Sequence, residues 1–162
     1  MAKEIVIDPF DQRSVDNALK ELRKYKAWIR KKENELRTRL ATLGATVASI
    51  QFSRAIYNGT NDVTVRVDNT DSVAVIYAEG EAVAFIEFGS GAKYGYGHPM
   101  NHEFGTGPGT YPEGKGHWDN PNGWWYGHNL HSSGNPPAMA MYQAREQMVE
   151  QITQIARQVF AK

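Results

Sequence analysis

Five histidines, at positions 98, 102, 117, 128 and 131, are the residues of this chain whose type and spacing come nearest to chemistry. His98-Pro99-Met100-Asn101-His102 sets two imidazoles four apart, with Glu103, His117, Asp119, His128 and His131 close in sequence. Zinc takes about four N, O or S ligands, about three of them from protein at a catalytic centre, so a metal-binding hydrolase is one reading of this set. Against it, Pro99 opposes the helix that would align His98 with His102, and the helical HExxH form is absent. A loop rich in His, Gly and aromatics at an interface explains the same residues without a metal. We therefore expect no metal, no cofactor and no catalytic residue. The second candidate is Glu87, set between Phe85 and Phe88 just ahead of Gly89-Ser90-Gly91. Its carboxylate can accept from backbone N–H groups of that turn or from an arginine of a neighbouring subunit. Gly89 and Gly91 supply backbone angles or close approach, and a phosphate cradle is the weaker reading because no Lys-Ser/Thr follows at P-loop spacing.

Most of these residues lie in one stretch. The 48 residues from Gly89 to Pro136 hold 12 of the 15 glycines, five of the seven prolines, all five histidines and three of the four tryptophans. Tryptophan is costly to leave wet, yet here it sits among residues that forbid regular helix or strand. Irregular segments beyond roughly 12–15 residues are normally functional or disordered, and linkers lack large aromatics. The segment 89–136 therefore reads as a contact arm within a single domain spanning 1–162, projecting from about Lys93 to Ser133.

The elements that must carry the arm are read from periodicity. Val15, Leu19, Leu22, Lys26, Ile29, Glu33, Leu36, Leu40, Leu43, Val47 and Ile50 follow steps of four and three, the signature of one helical stripe. Asp11 or Ser14 can cap this helix. Unbroken to about Arg54 it would approach roughly 60 Å, so a break near Gly44 is expected. Asp62–Asp68 and Ser72–Ala78 alternate about a turn at Asn69-Thr70-Asp71, an antiparallel hairpin. Glu81–Phe88 fits neither period and is a third strand or a short helix. Pro136 and Pro137 precede a helix over Met139–Phe160 with Met141, Ala144, Met148, Ile152, Ile155 and Val159 on one face. With a short strand at the start, the class is α+β: a small antiparallel sheet packed by a long N-terminal helix and a C-terminal helix, carrying a long irregular Gly/aromatic-rich arm.

Composition removes several function classes. Eighteen Lys/Arg balance eighteen Asp/Glu, so no whole-molecule field draws the protein to nucleic acid or an anionic membrane. Between Ser14 and Leu43, nine basic residues face four acids, an excess of five. This reads first as a solvated helix surface, and second as a face for phosphate or an acidic neighbouring subunit. A nucleic-acid module would rest on that helix alone. The absence of cysteine excludes thiol catalysis, Cys-based zinc sites and disulfides. The first apolar run is too short for a signal peptide and nothing approaches a membrane span, so a soluble cytosolic protein without membrane contact is expected.

Four segments carry a resemblance. Gly44-Ala45-Thr46-Val47 leading to Phe52-Ser53-Arg54-Ala55, Tyr57-Asn58-Gly59-Thr60-Asn61-Asp62-Val63, Ala78-Glu79-Gly80-Glu81-Ala82-Val83-Ala84-Phe85-Ile86-Glu87-Phe88-Gly89-Ser90-Gly91 and Gly134-Asn135-Pro136-Pro137-Ala138-Met139-Ala140-Met141-Tyr142 resemble the head-to-tail joining (neck, or tail-completion) proteins of long-tailed, noncontractile bacteriophages and their prophages. The similarity runs from about Ser14 to Phe160 and is sharpest at Phe-Ile-Glu-Phe-Gly-Ser-Gly, where the family often has Thr at the place of Ser90, and at the entry to the last helix, from Asn135-Pro136 to Met139-Ala140-Met141-Tyr142. It implies a virion structural protein, made in the host cytoplasm, forming a ring of identical subunits between the head-closure (connector) proteins and the tail terminator or tail tube. It implies no catalysis and at most passive contact with DNA in the channel. A tail terminator capping the tail tube is the alternative within the same organelle. On this reading Phe85, Glu87, Phe88, Gly89, Gly91, Trp118, Trp124, Trp125 and Tyr126 are the candidate subunit-interface residues, with the aromatic arm gaining contact area as it docks on a neighbour.

Overall fold

Asp11 opens the dominant element. Its side chain accepts from the Arg13 N–H at 3.0 Å, and α1 then runs from Gln12 to Arg54. Those 43 residues span about 64 Å at ~1.5 Å per residue. At the far end Asn61 Nδ2 donates to the carbonyls of Phe52 (2.7 Å) and Ala55 (2.9 Å), satisfying acceptors that a helix end leaves open. The computed structural model describes residues 4–55, 61–70, 72–108, 122–126 and 130–161. Within them α1 is followed by β1 (Thr64–Asn69), β2 (Ala74–Glu79), α2 (Val83–Phe88), α3 (Gly91–Tyr94), α4 (Asn101–Phe104), β3 (Trp124–Tyr126), β4 (Leu130–Ser132) and α5 (Ala140–Phe160). The architecture is α+β, as expected. No described helix is long and apolar enough to cross a membrane.

Two expectations are corrected at this level. The helix does not break at Gly44, because that glycine is a crossing point rather than a stop. A Cβ there would lie 2.5 Å from Ile76 Cδ1 and 2.7 Å from Met148 Sδ, so β2 and α5 both press onto the bare backbone of α1. Nor do the described residues at the start form the short strand expected there: residues 4–10 pair with no strand, and Asp8 N–H instead donates to Ser14 Oγ at 2.9 Å.

The hairpin stands where alternation placed it, with Thr64 opposite Glu79 and Asn69 opposite Ala74. Val65 and Ala78 face the core, while Asn69 Nδ2 donates to Thr38 Oγ1 at 2.8 Å and ties the strand to the middle of α1. Of Glu81–Phe88, Val83–Phe88 is helix, preceded by a turn at Glu81 and Ala82. The Asp62 carboxylate accepts from the N–H groups of Glu81 (2.5 Å) and Ala82 (3.2 Å), and these two donors hold it below the usual carboxylate range. Donors at the start of a helix are thereby satisfied from outside it.

The core is Ala48, Phe52, Ala82, Ile86, Ala140 and Ala144. On α1 the buried face is therefore a row of mostly small residues, Ala41, Gly44, Ala48 and Phe52, set one position along from the stripe of Leu40, Leu43 and Val47, which is half-buried. Small side chains let α5 approach closely and displace the larger ones to the seam. The two helices run antiparallel: Ala140 and Ala144 lie with Ala48 and Phe52, Met148 reaches Gly44, and Phe160 meets Trp28 edge-on at 6.0 Å. Trp28 also stacks on Tyr25 at 5.7 Å, and the buried Lys32 ammonium lies 6.0 Å from its ring. Before Trp28, α1 extends about 24 Å past the end of α5 at ~1.5 Å per residue.

Candidate functional site

The chain starts α5 without a local cap. Met139 occupies the capping position in the left-handed conformation (φ 54°, ψ 36°), makes no side-chain cap and has two prolines just before it. A non-glycine residue held there costs on the order of 1 kcal/mol, so something else must secure the helix start. Glu87, from the last turn of α2, does so. Its Oε2 accepts from Met141 N–H at 2.9 Å and its Oε1 from Tyr142 N–H at 3.1 Å, the donors that an N-cap side chain would normally satisfy. The negative charge also meets the positive end of the α5 dipole. The contact continues through the backbone, where Ala138 N–H donates to the Ile86 carbonyl (2.7 Å) and Met139 N–H to the Glu87 carbonyl (3.2 Å).

His98 completes the cluster. Met100 N–H donates to its Nδ1 at 3.1 Å, which leaves Nε2 to donate to Glu87 Oε1 at 3.3 Å. Glu87 and His98 are each 5% exposed. The imidazole sits between the rings of Phe88 (centroids 4.6 Å apart) and Tyr142 (5.7 Å), and Phe88 also touches Phe104 (6.2 Å). Both carboxylate oxygens and both ring nitrogens are thus engaged inside the protein. A pair so enclosed fixes geometry, because neither member has a free edge for a substrate.

Beside this cluster the two ends of the arm are pinned together. Ser90 and Asn135 form an antiparallel bridge: Ser90 N–H donates to the Asn135 carbonyl at 2.9 Å, and Asn135 N–H returns to the Ser90 carbonyl at 3.2 Å and Oγ at 3.1 Å. Asn135 Nδ2 also reaches the Phe85 carbonyl at 3.4 Å. Gly134 makes this approach possible. Its φ is +100°, and a Cβ on it would run into the Ser90 carbonyl oxygen. Gly89, at φ +75°, similarly faces Asn135 O and Pro137. The two segments singled out by sequence, Phe85–Gly91 and Gly134–Tyr142, are therefore the two halves of one clamp at the base of the arm.

The clamp changes the place of several candidate interface residues. Glu87, Gly89 and Gly91 are buried within the chain, and Glu87 binds the start of α5 rather than the Gly89-Ser90-Gly91 turn or another subunit. Phe85 and Phe88 are half-buried at the same junction. Projection from Lys93 is corrected too: α3, His98 and Gly107 lie on the body, with Gly107 N–H donating to Gly95 O at 2.7 Å. Further along, Trp124 and Trp125 and Tyr126 form β3, paired antiparallel with β4 in a second small hairpin. Trp118 lies outside the described residues, as do His117, Asp119 and His128. His98 is committed to Glu87 whereas His102 is exposed, and no group of three or more His, Asp or Glu gathers to hold a metal among the described residues. A shallow cleft of about 340 Å³ opens elsewhere, between α1 and α5, lined by Val47, Ile50, Gln51, Gln143, Glu146 and Gln147.

Sequence reasoning missed the pairing of His98 with Glu87 and the role of Asn135. One signal was available: a 21-residue helix that begins after two prolines, with Met rather than Ser, Thr, Asp or Asn at its cap, needs an acceptor from elsewhere. Compared with known proteins, the chain matches no family model, no curated protein and no solved structure.

Proposed function

We propose that this chain is a structural protein of the phage virion neck, a ring-forming subunit that joins the head-closure complex to the tail. The observation that carries the reading is the distribution of unburied apolar surface. In the forward half of α1, Leu19, Leu22 and Tyr25 are 45%, 48% and 58% exposed, and on the first hairpin Val73, Val75 and Tyr77 are 52%, 39% and 43% exposed. Two unlike, partly apolar surfaces on one chain suit a head-to-tail contact repeated by rotation, which closes into a ring. The resemblance of Phe85–Gly91 and Gly134–Tyr142 to neck proteins supports the same reading, and the clamp these segments build gives the arm a rigid base from which to reach a neighbour. The subunit would be made in the host cytoplasm and end in the virion, with the connector and the tail as partners and DNA passing without tight contact.

Removing the protein from the phage or prophage that encodes it should leave filled heads and complete tails unjoined, as seen by electron microscopy. Replacing Trp124 and Trp125 together with Ala should reproduce that phenotype if the arm supplies aromatic anchors, each worth roughly 2 kcal/mol at a hot spot. Joined, infectious particles formed in the absence of the protein would sink the proposal.

A further inference from the structure

We infer that the forward half of α1 docks on the outer face of the β1–β2 hairpin of a second copy of this chain, through opposite charge around a small apolar centre. This rests on the ring reading and names the surfaces that meet.

Charge is the first observation. Lys20, Arg23, Lys26, Arg30 and Lys31 are all exposed, and none makes an ion pair among the described residues, whose α1 pairs are Lys24–Glu21, Lys32–Glu35 and Arg39–Glu35. The hairpin and its flanks, Asn61–Ala82, carry five acids against the single Arg66. Asp62, Asp68, Glu79 and Glu81 are exposed, and among the described residues only Glu79 of these makes an ion pair, with Arg66, while Asp62 accepts from the N–H groups of Glu81 and Ala82. An unneutralised basic helix and an acidic hairpin thus coexist in a chain of zero net charge.

Shape and chemistry agree with the charge. Leu19, Leu22, Lys26 and Arg30 follow steps of three, four and four, and Arg23 lies four beyond Leu19 and three before Lys26, one ridge on which two leucines precede three cations. On the hairpin's outer face, opposite pairs in the register are Arg66 with Tyr77 and Asp68 with Val75, with Glu79 beyond them. Two apolar side chains between acids face two leucines beside cations. The helix overhang of about 24 Å matches strands of six residues, about 20 Å long at ~3.3 Å per residue.

The contact cannot be made within one chain. The hairpin's inner face is held on the middle of α1 by Asn69 on Thr38 and Ile76 over Gly44. Its outer face points away, and a continuous helix cannot bend back to reach it. The surfaces are complementary yet unable to meet in one subunit, which requires a second copy and gives a heterologous contact. Duplex DNA is the poorer occupant of the ridge, because Leu19 and Leu22 would be set against phosphate.

The test uses two charge-reversed full-length variants, Arg23→Glu/Lys26→Glu/Arg30→Glu and Asp68→Lys/Glu79→Lys, with the milder Lys26→Gln/Arg30→Gln as a control for folding. Circular dichroism melts establish that each monomer folds, and sedimentation and native mass spectrometry at low salt read assembly up to millimolar protein. Wild type should assemble, with a threshold concentration that rises with salt. Each reversed variant alone should need at least about tenfold more protein. Mixed one to one they should assemble again, since the acidic helix of one meets the basic hairpin of the other. Wild-type assembly with variants that assemble equally well, or with folded variants that fail even when mixed, overturns the inference and leaves the ring reading standing. A wild-type chain that stays monomeric throughout overturns the ring reading itself. Loss of binding to a duplex DNA probe in the α1 variant with assembly unchanged overturns the inference in favour of nucleic acid.

Discussion

The two halves of α1 use apolar residues in opposite ways. From Ala41 to Phe52 the buried positions are Ala, Gly, Ala and Phe, and two other elements cross the helix at Gly44. From Val15 to Tyr25 small Ala18 is buried, at 4% exposure, whereas the larger Leu19, Leu22 and Tyr25 remain about half exposed. Burial in the body follows closeness of approach, which small residues permit, and the larger side chains of the overhang stay exposed because it extends beyond the end of α5, where Phe160 meets Trp28. The rear half, built on small residues, holds the fold, whereas the forward half leaves its larger apolar side chains uncovered.

That contrast can be broken from the body side first. Gly134→Ala should have the largest effect, because it combines a left-handed backbone with a clash against Ser90, and a loss of about 4 kcal/mol is expected. Denaturant unfolding measures it, and stability within about 1 kcal/mol of wild type would show that the clamp is not a folding element. Glu87→Ala should follow at about 3 kcal/mol, since it strips two helix donors and the buried His98 of their acceptor. Hydrogen exchange should then show the amides of Met141 and Tyr142 losing protection ahead of the rest of α5; uniform loss along the helix would argue against a local cap.

Gly44→Val sharpens the comparison at the crossing itself. Its new side chain meets the movable tips of Ile76 and Met148, so a cost of about 2 kcal/mol is expected, smaller than at Gly134, where backbone stands in the way. Gly44→Ala should cost less, because alanine's better helix propensity, worth about 1 kcal/mol, offsets part of the crowding. A Val variant as stable as wild type would mean that β2 and α5 do not bear on the helix there. Smallest of all, Leu19→Ser/Leu22→Ser should shift the melting free energy of the monomer by no more than about 0.5 kcal/mol, while raising the concentration needed for assembly. A drop of 2 kcal/mol or so in the monomer would place these leucines in its own core and erase the distinction between the halves.

Periodicity made the long helix, the hairpin and α5 legible, because those signals depend on residues three, four or two apart and survive without knowledge of the neighbours. The stripe nevertheless pointed one position away from the most deeply buried row. Hydrophobic spacing weights Leu40, Leu43 and Val47, whereas packing chose Ala41, Gly44 and Ala48, and sequence alone does not say that a partner will come close enough to need them. The ambiguity over Glu81–Phe88 has a similar origin. Asp62, some twenty residues earlier, supplies the acceptor that turns that segment into a helix.

The amino-acid order by itself determined the main local conformations: a helix from Asp11 onward, two strands joined by a turn after Asn69, and a helix after Pro136-Pro137, whereas the short α3, α4, β3 and β4 of the glycine- and aromatic-rich segment were not legible in it. It also carried the opposed charges of α1 and the hairpin, which are a matter of composition. Only the tertiary structure decided that Glu87 would turn inward to cap α5, that His98 would serve Glu87, and that Ser90 would pair with Asn135 across 45 positions. Those contacts join residues whose own preferences are neutral between many partners, and loop closure favours no particular one in advance. The choice was made where several groups had to be satisfied at once: the open donors of α5, a buried carboxylate and the strained backbone of Met139.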